Sequence, residues 1–321
     1  MTLPLVRQIN LEEIRAARER ITPTILRTPL VRLELGSDFP EVHLKLENLQ
    51  PINAYKLRGA ANAVAMLSDA ERKRGVWTIS AGNAGQGVAY AARQAGVPST
   101  VVAIETAPSA KLERMRALGA KLVLVPYETA WKTLDERAYP GVEGTFIHPF
   151  DDDNFIAGHA TMGLEILEDL PETATVLAGI GGGGLIVGVG SAIKALRPET
   201  RIIGVEPETA APTALSLTAG SPQKFPNWTA SFVDGAGGQS VFPRMWERMK
   251  PILDDSLVVS LEDTRRAMRL MAEKARVIAE GAGALALAAV LSGKVKGPGP
   301  IVCVVSGGNV DLKKFCELIQ P

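Results

Sequence analysis

Short runs of apolar and β-branched residues alternate with helical stretches along most of this chain. In the first half, strands are predicted at Val76–Ser80, Thr100–Ile104 and Lys121–Val125, with helices over residues 85–94 and 110–118. In the second half, strands are predicted at Thr175–Ile180, Arg201–Glu206 and Ile301–Ser306, with a helix over Leu185–Leu196. Strands that alternate with helices pair in parallel, because each helix returns the chain to the same sheet edge. The sequence therefore predicts an α/β protein of two lobes, each an open, mostly parallel twisted sheet flanked by helices.

Local signals place three helix starts and one buried stripe. A helix N-terminus is predicted where a residue with a side-chain oxygen is followed three residues later by an acidic residue. Such pairs occur at Asn10 and Glu13, Ser68 and Glu71, and Ser260 and Asp263. Four apolar residues at helical spacing predict a core-facing stripe at Met268, Met271, Ala275 and Ile278.

Composition excludes several classes of protein. Of the 321 residues 46% are hydrophobic, which is enough to bury a large core and argues against disorder. The chain has 35 basic residues (Lys and Arg) and 35 acidic residues (Asp and Glu), so its formal net charge is zero. Without an excess of basic residues, we expect neither nucleic acid nor an anionic membrane as partner. The longest apolar runs are too short for a membrane span, and the N-terminus lacks a secretion signal. With two cysteines, these features predict a cytoplasmic location.

The strongest local motif is a glycine run between a predicted strand and a predicted helix. It reads Gly179, Ile180, Gly181, Gly182, Gly183, Gly184 and Leu185. Adjacent glycines leave backbone N–H groups open at a helix N-terminus, where the helix dipole also favours an anion. The run therefore predicts a phosphate-binding loop. Gly179, Gly181 and Gly184 with Glu206 also fit a dinucleotide fingerprint, so the motif alone permits an NAD-dependent oxidoreductase.

Three further segments place polar residues next to small ones, as a close-fitting cofactor site requires. They are Asn53 to Ala60, which contains Lys56; Ser80 to Gly87, which contains Asn83; and Ser306 to Asn309. Together with Glu47 to Gln50 and the glycine run, and in this order, these segments resemble the pyridoxal-phosphate enzymes of the tryptophan-synthase-β fold (fold type II). The resemblance covers nearly the whole chain and is specific to the threonine/serine dehydratase and serine racemase branch.

The resemblance implies a role for each matching residue. Lys56 would hold the cofactor covalently and act as the general base at Cα, which requires an amine neutral near pH 7. Tyr55 and Gly235 would contact the two faces of the cofactor ring, Asn83 its 3′-oxygen and Ser306 its pyridine nitrogen. Gly181, Gly182, Gly183 and Gly184 would hold the phosphate, and Glu280 would lie near the ring. The substrate-binding loop would comprise Ser80, Ala81, Gly82, Asn83 and Ala84.

Several positions depart from the family pattern. Tyr55 stands where the family has phenylalanine, Ala84 where it has histidine, and Ala81 where racemases carry a proton-donating serine. The two alanines leave room for a larger or less polar substrate than serine, such as a β-aryl serine. A divalent metal site (Mg²⁺ or Ca²⁺) would use Glu206 and the Ala210 carbonyl, but Pro212 replaces its second carboxylate and weakens it.

The resemblance also implies an activity and an assembly. The expected reaction is β-elimination of water and deamination of a β-hydroxy amino acid of the L-threonine/L-serine type, giving a 2-oxo acid and ammonia. The alternatives are an amino-acid racemase or β-replacement synthase of the same fold, and an NAD-dependent oxidoreductase. The expected partners are a small amino-acid substrate and a second copy in a homodimer. Residues 1–49 and 149–321 are expected to form a large cofactor-binding domain, and residues 50–148 a small one.

Overall fold

In this computed structural model, which describes residues 5–320, regular elements follow the alternation of the sequence closely. The strands are, in chain order, β1 (Leu30–Leu33), β2 (Val42–Leu46), β3 (Val76–Ile79), β4 (Ser99–Ile104), β5 (Lys121–Val125), β6 (Thr145–Phe146), β7 (Thr175–Gly179), β8 (Arg201–Pro207), β9 (Asp255–Val259) and β10 (Ile301–Val305). The helices are α1 (Leu11–Ile21), α2 (Lys56–Ala65), α3 (Asp69–Arg74), α4 (Asn83–Gln94), α5 (Ser109–Ala117), α6 (Tyr127–Glu136), α7 (Asp153–Asp169), α8 (Gly184–Leu196), α9 (Pro212–Ala219), α10 (Pro243–Met249), α11 (Leu261–Leu270), α12 (Gly281–Leu291) and α13 (Leu312–Leu318).

The strands form two sheets. The larger has the order β1-β2-β10-β7-β8-β9 and is parallel except where β1 pairs with β2. The smaller has the order β5-β4-β3-β6 and is wholly parallel. The prediction of two mostly parallel sheets is confirmed. The domain boundaries at residues 50 and 149 stay a prediction.

Strand β10 lies inside the larger sheet and shows why that sheet is covered on both faces. All five of its residues are buried. Side chains alternate between the faces of a strand, so Val302 and Val304 join one apolar cluster while Ile301, Cys303 and Val305 join another. Helix α12 consists of apolar and small residues and is buried along its whole length. Both layers that pack against β10 are therefore apolar.

The predicted helix starts are confirmed, and the predicted stripe is partly wrong. Asn10 and Ser68 form reciprocal capping boxes, and the Ser260 side chain accepts the Asp263 N–H. Met268 and Met271 are buried as predicted, but Ile278 is 41% exposed. Helix α11 ends at Leu270 and passes into a π-helical turn over Met271–Ala275, so the helical spacing no longer applies at Ile278.

A buried ion cluster joins helix α2 to the larger sheet and to α7. The Arg58 guanidinium donates to both oxygens of Glu47 at 2.8 Å, and also to both oxygens of Glu165 at 2.7 and 2.8 Å. The Lys45 amine adds a bond of 2.6 Å to Glu165 and another of 2.6 Å to the Thr28 carbonyl. Two cations thus neutralise two carboxylates away from water, which is what burial of such groups requires. The cluster fixes the first turn of α2.

Among the residues described, none of the helices combines the length and the apolar character needed to cross a lipid bilayer.

Removal of Arg58 should destabilise the protein strongly. Arg58→Met keeps most of the side-chain volume but leaves Glu47 and Glu165 under-compensated, and breaking a buried pair typically costs about 3–5 kcal/mol. Urea unfolding measures the loss. Arg116→Met is the matched control, because its pair with Glu113 lies on the surface, and it should unfold close to wild type. Equal midpoints for the two variants would contradict a structural role for the cluster.

Candidate active site

Lys56 opens helix α2, and its amine is buried without a carboxylate partner in the described structure. The amine donates to the Pro149 carbonyl at 2.6 Å and lies 5.2 Å from the Tyr55 ring centre and 5.4 Å from that of Phe155. Burial disfavours the ammonium form and lowers the pKa of Lys56 to about 7. This amine can therefore act as a nucleophile or a base at neutral pH.

Backbone pairing holds the segment before Lys56 against the end of β10. Ala54 forms an antiparallel bridge with Gly307, and the Tyr55 N–H donates to the Ser306 carbonyl at 3.0 Å. The Gly308 N–H in turn donates to the Asn53 carbonyl at 2.9 Å. Ser306, which is buried, is thereby placed beside the lysine segment although the two lie in distant parts of the chain.

The glycine loop lies at the same sheet edge, because β7 and β10 are neighbouring parallel strands. Gly183 has φ +88°, a conformation open to glycine at little cost, and α8 begins at Gly184. A Cβ at Gly182 would come within 2.3 Å of the Phe150 ring, and one at Gly181 within 3.1 Å of the Gly235 carbonyl. The first N–H groups of α8 have no acceptor within the helix, so the loop can bind an anion.

Asn83 begins α4 and belongs to a chain of hydrogen bonds across the site. Its amide donates to Glu280 at 2.7 Å and accepts from the Asn309 amide at 2.8 Å. Asn309 in turn accepts from Arg114 of α5 at 2.6 Å. Burial, reinforced by the charge of Asp234, raises the pKa of Glu280 to about 7. Like Lys56, this carboxyl group can exchange a proton near neutrality.

Residues Ser80 to Gly82 form the turn between β3 and α4, and Asn83 and Ala84 are the first residues of α4. The Ser80 hydroxyl accepts the Gly82 N–H at 3.1 Å, and Gly82 immediately precedes the helix. Ala84 is buried in an apolar cluster that contains Leu57, and the partly exposed Ala81 packs against another cluster that contains Val101. The turn combines a helix N-terminus with apolar walls.

The structure thus brings together the lysine, the glycine loop, Asn83, Gly235 and Ser306. The sequence did not predict three contacts: the Pro149 carbonyl with Lys56, the Asn309 amide with Asn83, and Arg114 with Asn309. Pro149 acts through its backbone and leaves no side-chain signal, whereas Asn309 was part of a motif already noted. A cleft of about 720 Å³ borders Asn309 and Glu280, which is within the range of small-molecule sites.

The candidate metal ligand Glu206 is engaged elsewhere. Its two oxygens accept the N–H groups of Thr213 at 2.9 Å and Ala214 at 2.8 Å, and the Ser256 hydroxyl donates to it at 3.1 Å. Within residues 5–320 no group of three or more His, Cys, Asp or Glu side chains could hold a metal ion. Glu206 and the Ala210 carbonyl therefore do not fit a Mg²⁺ or Ca²⁺ site. Because these bonds already use both Glu206 oxygens, Glu206 does not fit the role of binding the ribose of a dinucleotide either.

The residues of the site do fit pyridoxal phosphate. A buried amine with a pKa of about 7 suits reaction with an aldehyde, and glycine N–H groups at a helix N-terminus suit a phosphate. The Ser306 hydroxyl at the end of β10 can meet a ring nitrogen. These three groups lie within one connected set of contacts.

Comparisons with known proteins agree with this chemistry. Residues 21–307 match the family described as "Pyridoxal-phosphate dependent enzyme". The chain is 39% identical to L-threonine ammonia-lyase of Thermotoga maritima, over 97% of this chain and 78% of that protein. Among solved structures, a threonine deaminase from T.th. has a TM-score of 0.83 and 36% identity, covering 94% of this chain and 99% of that one. Maize serine racemase has a TM-score of 0.87 and 31% identity, covering 97% of each chain.

The buried amine should make the stability of the cofactor-free protein depend on pH. Between pH 7 and 10.5 the unfolded chain binds a proton at Lys56 that the folded chain has released, so stability rises with pH. The slope from this group is up to about 1.4 kcal/mol per pH unit, and its burial cost is fully present below pH 7.

Urea unfolding from pH 6 to 9 measures this effect. The stability of the wild type should approach that of Lys56→Met from below as the pH rises. The control Lys132→Met removes an exposed lysine and should follow the wild type. Parallel profiles for wild type and Lys56→Met would mean that Lys56 has an ordinary pKa.

Proposed function

Because this chain belongs to the family of pyridoxal-phosphate-dependent enzymes, we propose that it deaminates a β-hydroxy amino acid of the L-threonine/L-serine type. The reaction removes water and ammonia and releases a 2-oxo acid. The observation that carries the proposal is the buried Lys56 amine beside the glycine loop, in a chain 39% identical to an L-threonine ammonia-lyase. The fold is that of the fold type II enzymes of this family.

The chain's own groups would hold the cofactor at several points. Lys56 would hold it covalently, and the N–H groups of Gly181 to Gly184 would bind its phosphate. Tyr55 and Gly235 would contact the ring, and Asn83 would donate to its 3′-oxygen. A serine hydroxyl, unlike a carboxylate, does not hold the ring nitrogen protonated, so Ser306 would leave the ring a modest electron sink.

Once bound, the cofactor supplies an electron-withdrawing ring that makes the Cα proton of an attached amino acid acidic. The neutral Lys56 amine removes that proton, which its pKa of about 7 permits at physiological pH. The helix N-terminus at Ser80 to Ala84 orients the substrate carboxylate. The β-hydroxyl would leave as water, so that the net loss is the Cα proton taken up by Lys56 together with the hydroxyl group.

Two alternatives on the same fold differ at named positions. A racemase needs a proton donor on the face opposite Lys56, and the position matching that donor is Ala81, which has none. Serine racemase is nevertheless a structural neighbour, so racemisation is an outcome that the assay must score. A β-replacement synthase would add a nucleophile in place of the departing water and release no ammonia.

Turnover with threonine and serine tests the proposal. Wild-type holoenzyme should release 2-oxobutyrate from L-threonine, pyruvate from L-serine, and equal amounts of ammonia. Lys56→Ala should lower kcat by at least about 10³-fold, because both the covalent link and the base are lost. Borohydride should attach the cofactor to the Lys56 peptide in the wild type alone. Retained deamination in Lys56→Ala would refute the assigned base, and D-serine formation without oxo acid would favour a racemase.

We further infer that catalysis needs no divalent cation. Both Glu206 oxygens accept N–H groups from the start of α9, and Pro212 provides no carboxylate. Dialysis against EDTA should therefore leave kcat/KM and Tm within about 20% and 1 °C of their starting values, and added Mg²⁺ or Ca²⁺ should change neither. A loss of activity on chelation that Mg²⁺ restores would contradict this inference.

The remaining proposals concern location and assembly. We propose a cytoplasmic enzyme, since Cys303 is buried and unpaired and Cys316 is free at the surface. A homodimer is what the family resemblance implies. Light scattering of the purified chain distinguishes a dimer from a monomer.

A further inference from the structure

Aromatic residues make up only 5% of this chain, yet several of them meet at one side of the candidate active site. The Phe150 ring centre lies 5.4 Å from that of Phe242, and the Phe242 ring stacks on Trp131 at 6.0 Å with an interplanar angle of 18°. Trp131 comes from α6, which packs on the smaller sheet, whereas Phe242 precedes α10, which packs on α8. We call Phe150, Phe242 and Trp131 the aromatic wall.

The aromatic wall begins next to the catalytic amine. Pro149, whose carbonyl accepts the Lys56 amine at 2.6 Å, directly precedes Phe150. The Phe150 ring also lies against Gly182, where a Cβ would come within 2.3 Å of ring atoms. All three members of the wall are partly exposed. A cavity of about 210 Å³ borders Phe150 and Phe242 and shares no lining residue with the cleft at Glu280. A cavity of about 150 Å³ already holds a benzene ring.

The two arginines that border this cavity are paired within the protein, and Asp135, which also borders it, is exposed. Arg137 and Arg244 both pair with the buried Asp151, with 2.8 Å between Arg244 and its partner oxygen. His148 lies 4.4 Å from the Phe150 ring, and its Nδ1 accepts the Asp151 N–H at 2.9 Å. Burial lowers the pKa of His148 to about 3, so the imidazole is neutral at pH 7. The wall itself thus offers aromatic rings to a bound molecule.

The turn before α4 adds the methyl group of Ala81. Ala81 is partly exposed and offers no hydrogen-bond donor, whereas Ala84 is buried in an apolar cluster. A substrate whose β-carbon carries a charged or strongly polar group would lose water there without replacement. A flat apolar substituent would instead gain contact with the rings.

We propose that the aromatic wall receives the β-substituent of the substrate, and that the enzyme prefers β-hydroxy amino acids with a large, uncharged, aryl β-substituent. This inference rests on the proposed function and names its substrate class. For 3-phenylserine the Cα–H and Cβ–OH bonds break, and water returns when the imine hydrolyses. The net products are phenylpyruvate and ammonia, with no oxidant or reductant required.

Paired kinetics of L-threo-3-phenylserine and L-threonine test the proposal. Wild-type kcat/KM should be at least about 10-fold higher for phenylserine, since a few buried apolar carbons discriminate by factors of this size. Trp131→Ala and Phe242→Leu should each lower the phenylserine-to-threonine ratio by about 10-fold. Trp131→Leu keeps an apolar side chain on α6 and provides a second variant if Trp131→Ala folds poorly. The control Phe39→Ala removes an aromatic residue that packs on a different apolar cluster, and its ratio should equal that of wild type.

Equilibrium binding separates this inference from the proposed function. L-Phenylalanine and L-2-aminobutyrate resemble the two substrates but lack the β-hydroxyl, so neither can lose water. Calorimetry on the holoenzyme should give a dissociation constant at least about 10-fold lower for phenylalanine, with the difference reduced in Trp131→Ala. If the enzyme deaminates threonine but prefers neither phenylserine over threonine nor phenylalanine over 2-aminobutyrate, the proposed role of the aromatic wall is refuted and the proposed function stands. If no oxo acid forms, the function fails and the binding ratio still decides the wall.

Discussion

The buried pairing of Arg58 with Glu47 and Glu165 is the interaction on which the active site depends. Arg58 lies two residues after Lys56 in the first turn of α2. Its guanidinium donates to Glu47, which directly follows β2, and to Glu165 of α7. An arginine fork suits two carboxylates because its donors lie in one plane with fixed spacing. If the cluster were opened, the start of α2 would lose the anchor that places the Lys56 amine against the Pro149 carbonyl.

The cluster also explains how Lys56 can stay reactive in a protein interior. Both interior cations of the cluster meet carboxylates, so the nearby charges cancel and the cost of burying them is offset. Among the residues described Lys56 has no carboxylate partner, and burial lowers its pKa to about 7. Glu280 shows the opposite shift for the same reason, since desolvation raises the pKa of a carboxyl group. Two groups that titrate near neutrality therefore face one site.

The same contrast between paired and unpaired groups separates this site from a metal centre. Glu206 is buried like Glu280, but the N-terminus of α9 and the Ser256 hydroxyl already use its oxygens. Asp151 is likewise occupied by arginines, which leaves the adjoining surface to Phe150 and Phe242. The chemistry of the pocket thus follows from which polar groups find partners inside the protein. Lys56 and Glu280 bond to a backbone carbonyl and an amide, and they remain available to a cofactor and a substrate.

Local patterns in the chain were sufficient to predict the alternating elements, the glycine loop, the lysine segment and the polar strand ends, because these depend on periodicity and backbone freedom. The family resemblance placed the glycine loop and Ser306 in one cofactor site, and the pairing of β7 with β10 brings these strand ends together. The local patterns contained no signal for the contact between Arg58 and Glu165, which are 107 residues apart, or for the stack of Trp131 on Phe242. Which polar side chains are paired and which rings meet was set by the tertiary structure alone, because partners distant in the chain are chosen by packing and desolvation.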